Sequence, residues 1–560
     1  MYPNVWGQGA LFAFSGLDGR NTLKDSLCGH LMGDRIGVSF RFGKAELYLS
    51  LLGVRDVMYE IVAADVILGK LNGKDFLFLF TDERTVCGFC PAELALPVFR
   101  TDRSQTGYHF AQRTDGETVR FALSYGDGTE ARAEAALEAE LMSTAKARLA
   151  FYDELPVPED ASAAERRTYL KCISVMRSQI YTPEGQFRQR WTTPDRLPHK
   201  KLWLWDSVFH SMGNVFIEPQ LAYESILSVL DTQRADGFIP HMASPDACSD
   251  VTQPPVLAWG LWTLYERTGR LEWLRETYDR VRRYLVWDSA NRDDDGNLLP
   301  GWYIDPNDPA CRCGESGMDN SPRFDDVVPM DCIDFSCFLA HEYACMRRIA
   351  EALELPEDAA DYAARFDVLA SRINALLYDE QDGRYYDRET ATGRLRRVSA
   401  VSGFLPLFAG VCTQEQAARL AADLKDPSTF GTELGVPSIA ANDPTFGSDM
   451  WRGPVWINYN YMIALGLRRY GYEAQADELI DATLAAIAAR YEQDGVIYEY
   501  YDCRNAVSPS LLNRKGAAIR PYSPGVRLTS IRDYGWSCTL FVRMLEERSE
   551  RRANDTQVRS

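Results

Sequence analysis

Two kinds of hydrophobic periodicity divide this chain. Up to about residue 150, apolar positions recur every second residue or in short unbroken runs, which are the patterns of strands. Residues 36–42 and 45–49 flank Gly43-Lys44, predicting a hairpin with a two-residue turn. Residues 76–80 predict a strand buried on both faces, and residues 119–125 one that alternates as a half-exposed strand does. Residues 154–160, with two prolines and three acids, read as a linker. Beyond about residue 161 the period becomes helical. Tyr362, Phe366, Leu369, Ile373 and Leu376 form one stripe of an amphipathic helix, whereas residues 331–346 are apolar nearly all round. A buried helix followed by a one-faced helix is the signature of an inner and an outer ring. Residues 218–234 and 473–490 are also helical, and roughly a dozen such elements follow from the periodicity.

The expected fold is mainly α: an (α/α)6 toroid over residues 165–548, preceded by a smaller β-rich, β-sandwich-like N-terminal domain over 1–150. A linker at 151–164 joins them, and a polar C-terminal tail covers 549–560. An open solenoid shares the helical periodicity but carries a fixed-length repeat, and none is present.

Composition narrows the function. At 560 residues with 46% hydrophobic and 25% charged content, the chain has the make-up of a folded soluble protein with ample core. A net charge of −19 argues against nucleic acid or an anionic membrane as partner. No apolar run approaches the ~20 residues that span a bilayer. The start, Met1-Tyr2-Pro3-Asn4, lacks a secretory n-region and h-region. The 13 cysteines are odd in number and several (Cys172, Cys332, Cys337, Cys345) sit in apolar helical stretches, as expected of free thiols in the cytoplasm. Cys87 and Cys90 have redox spacing without a βαβ context, and Cys311 and Cys313 lack a second pair or a histidine cluster. No cofactor and no metal are expected.

Three loops are rich in groups that pack a core badly and hold a polar ligand well. They are Glu315 to Asp325, Met450 to Asn458, and Tyr498-Glu499-Tyr500-Tyr501-Asp502. Eleven of the twelve tryptophans lie between residues 191 and 536. Trp205, beside Asp206, and Trp451, beside Arg452, read as platforms for the apolar face of a sugar, whereas Trp259, Trp262, Trp273 and Trp287 read as helix packing. Cleaving a glycosidic bond takes two carboxyl groups: an acid with raised pKa and a base or nucleophile. Asp319 is the candidate acid and Glu499 the candidate base. Glu315 either fixes the shape of the acid loop or acts directly. Asp325 and Asp326 read as caps of a helix starting near Pro329. Residues 291–302 look superficially like a calcium loop but place Trp302 where a glutamate belongs, so they read as a polar turn. His199, His210 and His341 show no metal spacing and read as packed or surface histidines.

The chain resembles the (α/α)6 glycoside hydrolases of family 63, among them bacterial mannosylglycerate hydrolases and processing α-glucosidases, and more distantly trehalases. The resemblance covers roughly residues 165–545 and rests on Leu204-Trp205-Asp206-Ser207, Gly237-Phe238-Ile239-Pro240-His241, Gln253-Pro254-Pro255, Glu315 to Arg323, Trp451 to Asn458, Glu499 to Asp502 and Tyr534-Gly535-Trp536. It implies an inverting, exo-acting α-glycosidase for a small glucoside or mannoside, with Asp319 as general acid and Glu499 as general base. Inversion places the two carboxyl groups roughly 6.5–9.5 Å apart. The resemblance further implies that Asp206, Arg323, Trp451 and Arg452 grip the terminal sugar, with Trp205, His241, Gln253 and Trp456 lining the same pocket. The N-terminal domain, absent from the shortest members, is expected to cover one side of the barrel mouth. A disaccharide phosphorylase on the same toroid would need a basic, glycine-rich phosphate cradle, and a non-catalytic sugar-binding protein would not need both carboxylates. Sugar identity, linkage and oligomeric state are left open by these residues.

Overall fold

The computed structural model describes residues 4–32, 35–42, 45–53, 57–71, 73–92, 107–308, 310–515 and 529–559. The turn expected at Gly43-Lys44 lies outside them. Ten strands among the described residues open the fold: β1 (Leu11–Phe12), β2 (Cys28–Met32), β3 (Arg35–Phe42), β4 (Ala45–Gly53), β5 (Val57–Val62), β6 (Val66–Leu71), β7 (Lys74–Asp82), β8 (Thr85–Pro91), β9 (Tyr108–Asp115) and β10 (Thr118–Tyr125). They form a four-stranded sheet in the order β1-β2-β3-β4 and a six-stranded sheet in the order β5-β6-β7-β8-β10-β9. Every pairing is antiparallel. The Phe12 ring of the first sheet lies 5.1 Å from Phe78 and 5.5 Å from Phe80 of the second, so the sheets share one apolar layer.

Residues 76–80 of β7 are buried without interruption. The alternation expected of β10 fails over residues 121–125, which are all buried. The cause is α1 (Thr129–Glu138), which packs across β9 and β10 and covers their outer face. It is followed by α2 (Leu141–Asp153). Both fall largely in the stretch expected to be β-rich, α2 running on into the expected linker, and their composition, rich in alanine with leucine and charged residues, favours helix. The connection that follows is residues 154–162, ending in a capping box in which Ser162 and Glu165 serve each other's backbone N–H groups.

Among the described residues twelve helices then alternate: α3 (Ala163–Ser178), α4 (Leu204–Asn214), α5 (Pro219–Leu230), α6 (Leu257–Thr268), α7 (Leu271–Asn291), α8 (Ile333–Ala352), α9 (Pro356–Leu376), α10 (Leu405–Ala409), α11 (Gln414–Asp423), α12 (Ile457–Arg469), α13 (Glu473–Asp494) and α14 (Gly535–Arg559). Helices α4, α6, α8, α10, α12 and α14 each pack on the next, and α14 packs back on α4. Helices α5, α7, α9, α13 and α3 lie against α4, α6, α8, α12 and α14 from outside. Burial follows this division: α8 hides most of its surface, polar residues included, whereas α9 hides Ala359, Tyr362, Leu369 and Ile373 on one face. Residues 549–559, expected as a tail, are the last turns of α14.

The N-terminal segment is wedged against these helices. Tyr491 near the end of α13 donates to the Val5 carbonyl (3.3 Å), and a side chain at Gly7 would sit 1.6 Å from the Asp494 carbonyl oxygen. Only glycine permits that approach.

Candidate active site

The segments leading into α4, α6, α8, α12 and α14 converge on one cavity of about 200 Å³. A water needs roughly 10–15 Å³ on such a measure, so the space suits a small polar ligand. Trp205 and Asp206 occupy the first turn of α4, whose start is fixed by a short antiparallel pairing of residues 202–203 with 242–243. The Gln253 side-chain oxygen accepts from the Trp205 N–H (3.2 Å), satisfying a donor that the helix start leaves free. Asp319 enters on the loop before α8, Trp456 from the end of the loop before α12, and Glu499 on the segment after α13. Gly317 adopts φ +70°, and a Cβ there would lie 2.2 Å from the Trp205 ring, so the acid loop can close over this tryptophan only through glycine. Asn320 ties that loop to the next: its side chain donates to Asp449 (3.0 Å) and accepts from the Trp451 N–H (3.0 Å).

Each of the two candidate carboxylates has a cation. The Arg514 guanidinium grips Glu499 with two bonds of 2.9 and 3.1 Å, and both side chains are buried. The Ile531 N–H adds a third bond at 3.3 Å. The Lys515 ammonium lies 2.5 Å from Asp319, with both side chains about one-fifth exposed. Burial pushes the Asp319 carboxyl up, but Lys515, Arg514 and the Cys311 thiol together outweigh it and hold it below the ordinary carboxylate range. This departs from the raised pKa expected of Asp319, and the reason is a lysine that sequence reasoning did not place there. The carboxyl that is raised, well above its usual value, is Asp206: burial dominates, the charge of Glu499 adds to it, and the Tyr534 hydroxyl (3.3 Å) opposes it. His241 is pushed down to about 4, mainly by burial, and is neutral near pH 7.

Trp205, Asp206, His241, Gln253, Asp319, Trp456 and Glu499 thus line one cavity. Three other expected contacts, Trp451, Arg452 and Arg323, do not line it. Trp451 stacks on Trp456 with ring centroids 3.8 Å apart, backing the residue that faces the cavity. Arg452 donates to the Asn320 carbonyl (2.9 Å) and pairs with Asp325. Arg323 is buried between Asp334 and Asp387, making four bonds of 2.6–2.9 Å, so its guanidinium is already saturated. Those bonds also account for the cluster of Cys332, Asp334 and Asp387, whose carboxylates are occupied by a guanidinium.

Other readings resolve similarly. Glu315 accepts from Thr252 N–H, Tyr303 N–H and Arg292, which makes it the knot of the acid loop. Asp325 and Asp326 pair with Arg452 and Arg396 instead of capping a helix, because α8 starts only at Ile333. Asp293 accepts the backbone N–H groups of Asn297 and Leu298, the work of a polar turn. His210 and His341 are packed among helices, but His199 faces the cavity with Nδ1 2.5 Å from Asp195. Cys87 and Cys90 lie within strand β8, both with thiols pushed up by burial. Residues missed by sequence reasoning are Arg514, Lys515, His199 and, although their motif was noticed, Tyr534 and Trp536. Among the described residues, none before Pro194 lines the cavity, so the N-terminal sheets contribute no wall to it.

A family model for the mannosylglycerate hydrolase MGH1-like glycoside hydrolase domain matches residues 199–537, which contains every cavity-lining residue except Pro194. Mannosylglycerate hydrolase MGH1 of Selaginella moellendorffii is 28% identical over 395 residues, covering 56% of this chain and 77% of that protein. A mannosylglycerate hydrolase of Thermus thermophilus is 27% identical over 396 residues, covering 56% and 92%. The crystal structure of the family 63 mannosylglycerate hydrolase from a second strain of Thermus thermophilus, in complex with glucose, superposes with a TM-score of 0.54 at 26% identity, covering 67% of this chain and 99% of that one. With the matched region spanning well over half its length and enclosing the two-carboxylate cavity, the chain belongs to the MGH1-like glycoside hydrolases.

Proposed function

We propose that this protein is an inverting, exo-acting α-glycoside hydrolase built on an (α/α)6 toroid, with Asp319 as general acid and Glu499 as general base. The observation that carries the reading is the meeting of these two carboxylates, from loops 180 residues apart, in one aromatic-walled cavity. Glu499 is held in one orientation by Arg514 and would take a proton from a water as that water attacks the anomeric carbon. Asp319 would protonate the departing glycosidic oxygen, and attack from the opposite face inverts the configuration. For Asp319 to carry a proton, the aglycone must displace the Lys515 ammonium; burial then acts unopposed by that charge and raises the carboxyl. Asp206, whose carboxyl burial pushes well above its usual range, would bond a sugar hydroxyl. The wall of Trp205, Trp456 and Trp536 suits a sugar's CH face. Small α-glucosides, α-mannosides and glycosylglycerates are the substrates to try, the last because similar proteins are mannosylglycerate hydrolases. A reducing, cytoplasmic setting accords with thirteen free cysteines, ten of them buried.

The test is proton NMR of the first-formed anomer from a panel of α-linked substrates, run with and without phosphate. An α-substrate that first yields the β-sugar independently of phosphate, with activity lost in Asp319→Asn and Glu499→Gln, is the expected outcome. An α-product would replace inversion by retention, and dependence on phosphate would make the enzyme a phosphorylase. One observation favours a second assignment of the acid, namely the raised Asp206. If Asp206 is the acid, an aryl glycoside with a good leaving group will rescue Asp206→Asn and leave Asp319→Asn impaired.

A further inference from the structure

Asp533 is a buried carboxylate outside the cavity that the mechanism does not use. It stands at φ +54°, immediately before Tyr534, which lines the cavity and bonds Asp206. Its two oxygens serve three different parts of the chain. Oδ1 accepts from the N–H of Ile497 at 3.2 Å, two residues before Glu499. Oδ2 accepts from the Lys171 ammonium of α3 at 2.8 Å and from the N–H of Leu11 in β1, also at 2.8 Å. Its carbonyl takes a further bond from the Gln179 side chain (2.8 Å). Around it the backbones of the two site-bearing segments run together, with Glu499 N–H on the Ile531 carbonyl (2.8 Å) and Tyr534 N–H on that of Ile497 (3.2 Å).

We propose that Asp533 is a positioning residue through which strand β1 and helix α3 hold the Glu499 and Tyr534 segments in place at the cavity. The proposal rests on the reading of Glu499 as general base, and it gives the N-terminal sheets a role other than covering the barrel mouth. The physical basis is the number and direction of the bonds. An ionised carboxylate accepts on both oxygens, and here donors stand on both. Three donors drawn from residues 11, 171 and 497 can be satisfied together only by a group that is acceptor-only and bears the charge that Lys171 needs. A side chain buried among such partners is fixed, and a base must be fixed to within a fraction of an ångström of its water.

The discriminating variant is Asp533→Asn, because asparagine tolerates the left-handed backbone while its amide nitrogen must face one set of donors. Two readouts are taken on the full-length protein. Amide hydrogen exchange is expected to speed up at least tenfold in residues 496–501 and 9–14, with α8 and α9 unchanged. On the substrate found for the parent, kcat is expected to fall about 10–100-fold with KM within about twofold, the pattern of a misplaced catalytic group. Should the single variant not fold, Lys171→Met/Asp533→Asn removes both charges together and is read in the same way. A folded variant whose 496–501 segment keeps parental exchange rates overturns the proposal, as does one that keeps parental kcat. If the parent itself cleaves no α-glycoside, the proposed function falls, while the exchange measurement still decides whether Asp533 couples these segments.

Discussion

Replacing Arg323 by methionine separates two roles for a residue that the resemblance assigns to sugar binding and the structure places between Asp334 and Asp387. The guanidinium and both partner carboxylates are at most 3% exposed. Arg323→Met removes four charge-assisted bonds at once. Asp334 would keep bonds from Trp302 Nε1 and its neighbour Phe335 N–H, and Asp387 one from Ile333 N–H, but two buried negative charges would face each other without a cation. Removing one partner of a buried ion pair costs about 3–5 kcal/mol, and with two carboxylates stranded the upper half of that range applies. Set against a typical stability of about 5–15 kcal/mol, this is a large fraction. Urea unfolding followed by tryptophan emission should show the midpoint falling accordingly with an unchanged slope. The triple variant Arg323→Met/Asp334→Asn/Asp387→Asn should recover most of the loss, since neutralising a whole buried ionic set is often tolerated. A single variant that unfolds within about 1 kcal/mol of the parent, with KM raised, would refute the structural account and restore Arg323 to the sugar.

Two further outcomes follow from the site. Lys515→Met takes away the charge that lowers Asp319 while leaving the burial that raises it. A general acid works in its protonated form, so the alkaline limb of the kcat/KM profile should move to higher pH; an unmoved limb would show that Asp319 is not the acid it reports. Gly317→Ala forces a left-handed alanine and a contact with Trp205 far inside van der Waals distance. Strain and overpacking together should cost about 2–5 kcal/mol in urea unfolding and reduce kcat, and an alanine variant indistinguishable from the parent would contradict the close approach.

The helical half was legible because burial differs sharply between alternate helices. Helix α8 offers water polar residues only near its end, at Arg347, Arg348 and Glu351, whereas α9 does so along its length, and that contrast survives in the sequence as nearly all-round against one-sided apolarity. Local signals also recovered β7, whose apolar run is too dense for a surface strand. What failed depended on neighbours remote in sequence. The lower half of β10 reads as half-exposed until α1 is known to lie across it. Motif likeness drew Asp319, Glu499, Trp205 and Asp206 together, yet nothing marked Lys515 among 61 lysines and arginines, because its partner lies almost two hundred residues upstream. Arg323 was misplaced for the same reason: one of its carboxylates, Asp387, is 64 positions away.

The packing of α14 against both α3 and α4 has a consequence for biosynthesis. Helices α3 and α4 are made long before α14, so they wait on the ribosome with an apolar flank that is covered only when Gly535–Arg559 emerges. At translation rates of roughly 5–20 residues per second, that wait spans tens of seconds after α4 has emerged. Tyr534 and Trp536, which line the cavity, arrive with the start of that helix. Until α14 emerges the nascent chain therefore keeps that flank open to chaperones and aggregation, and its cavity lacks part of its wall.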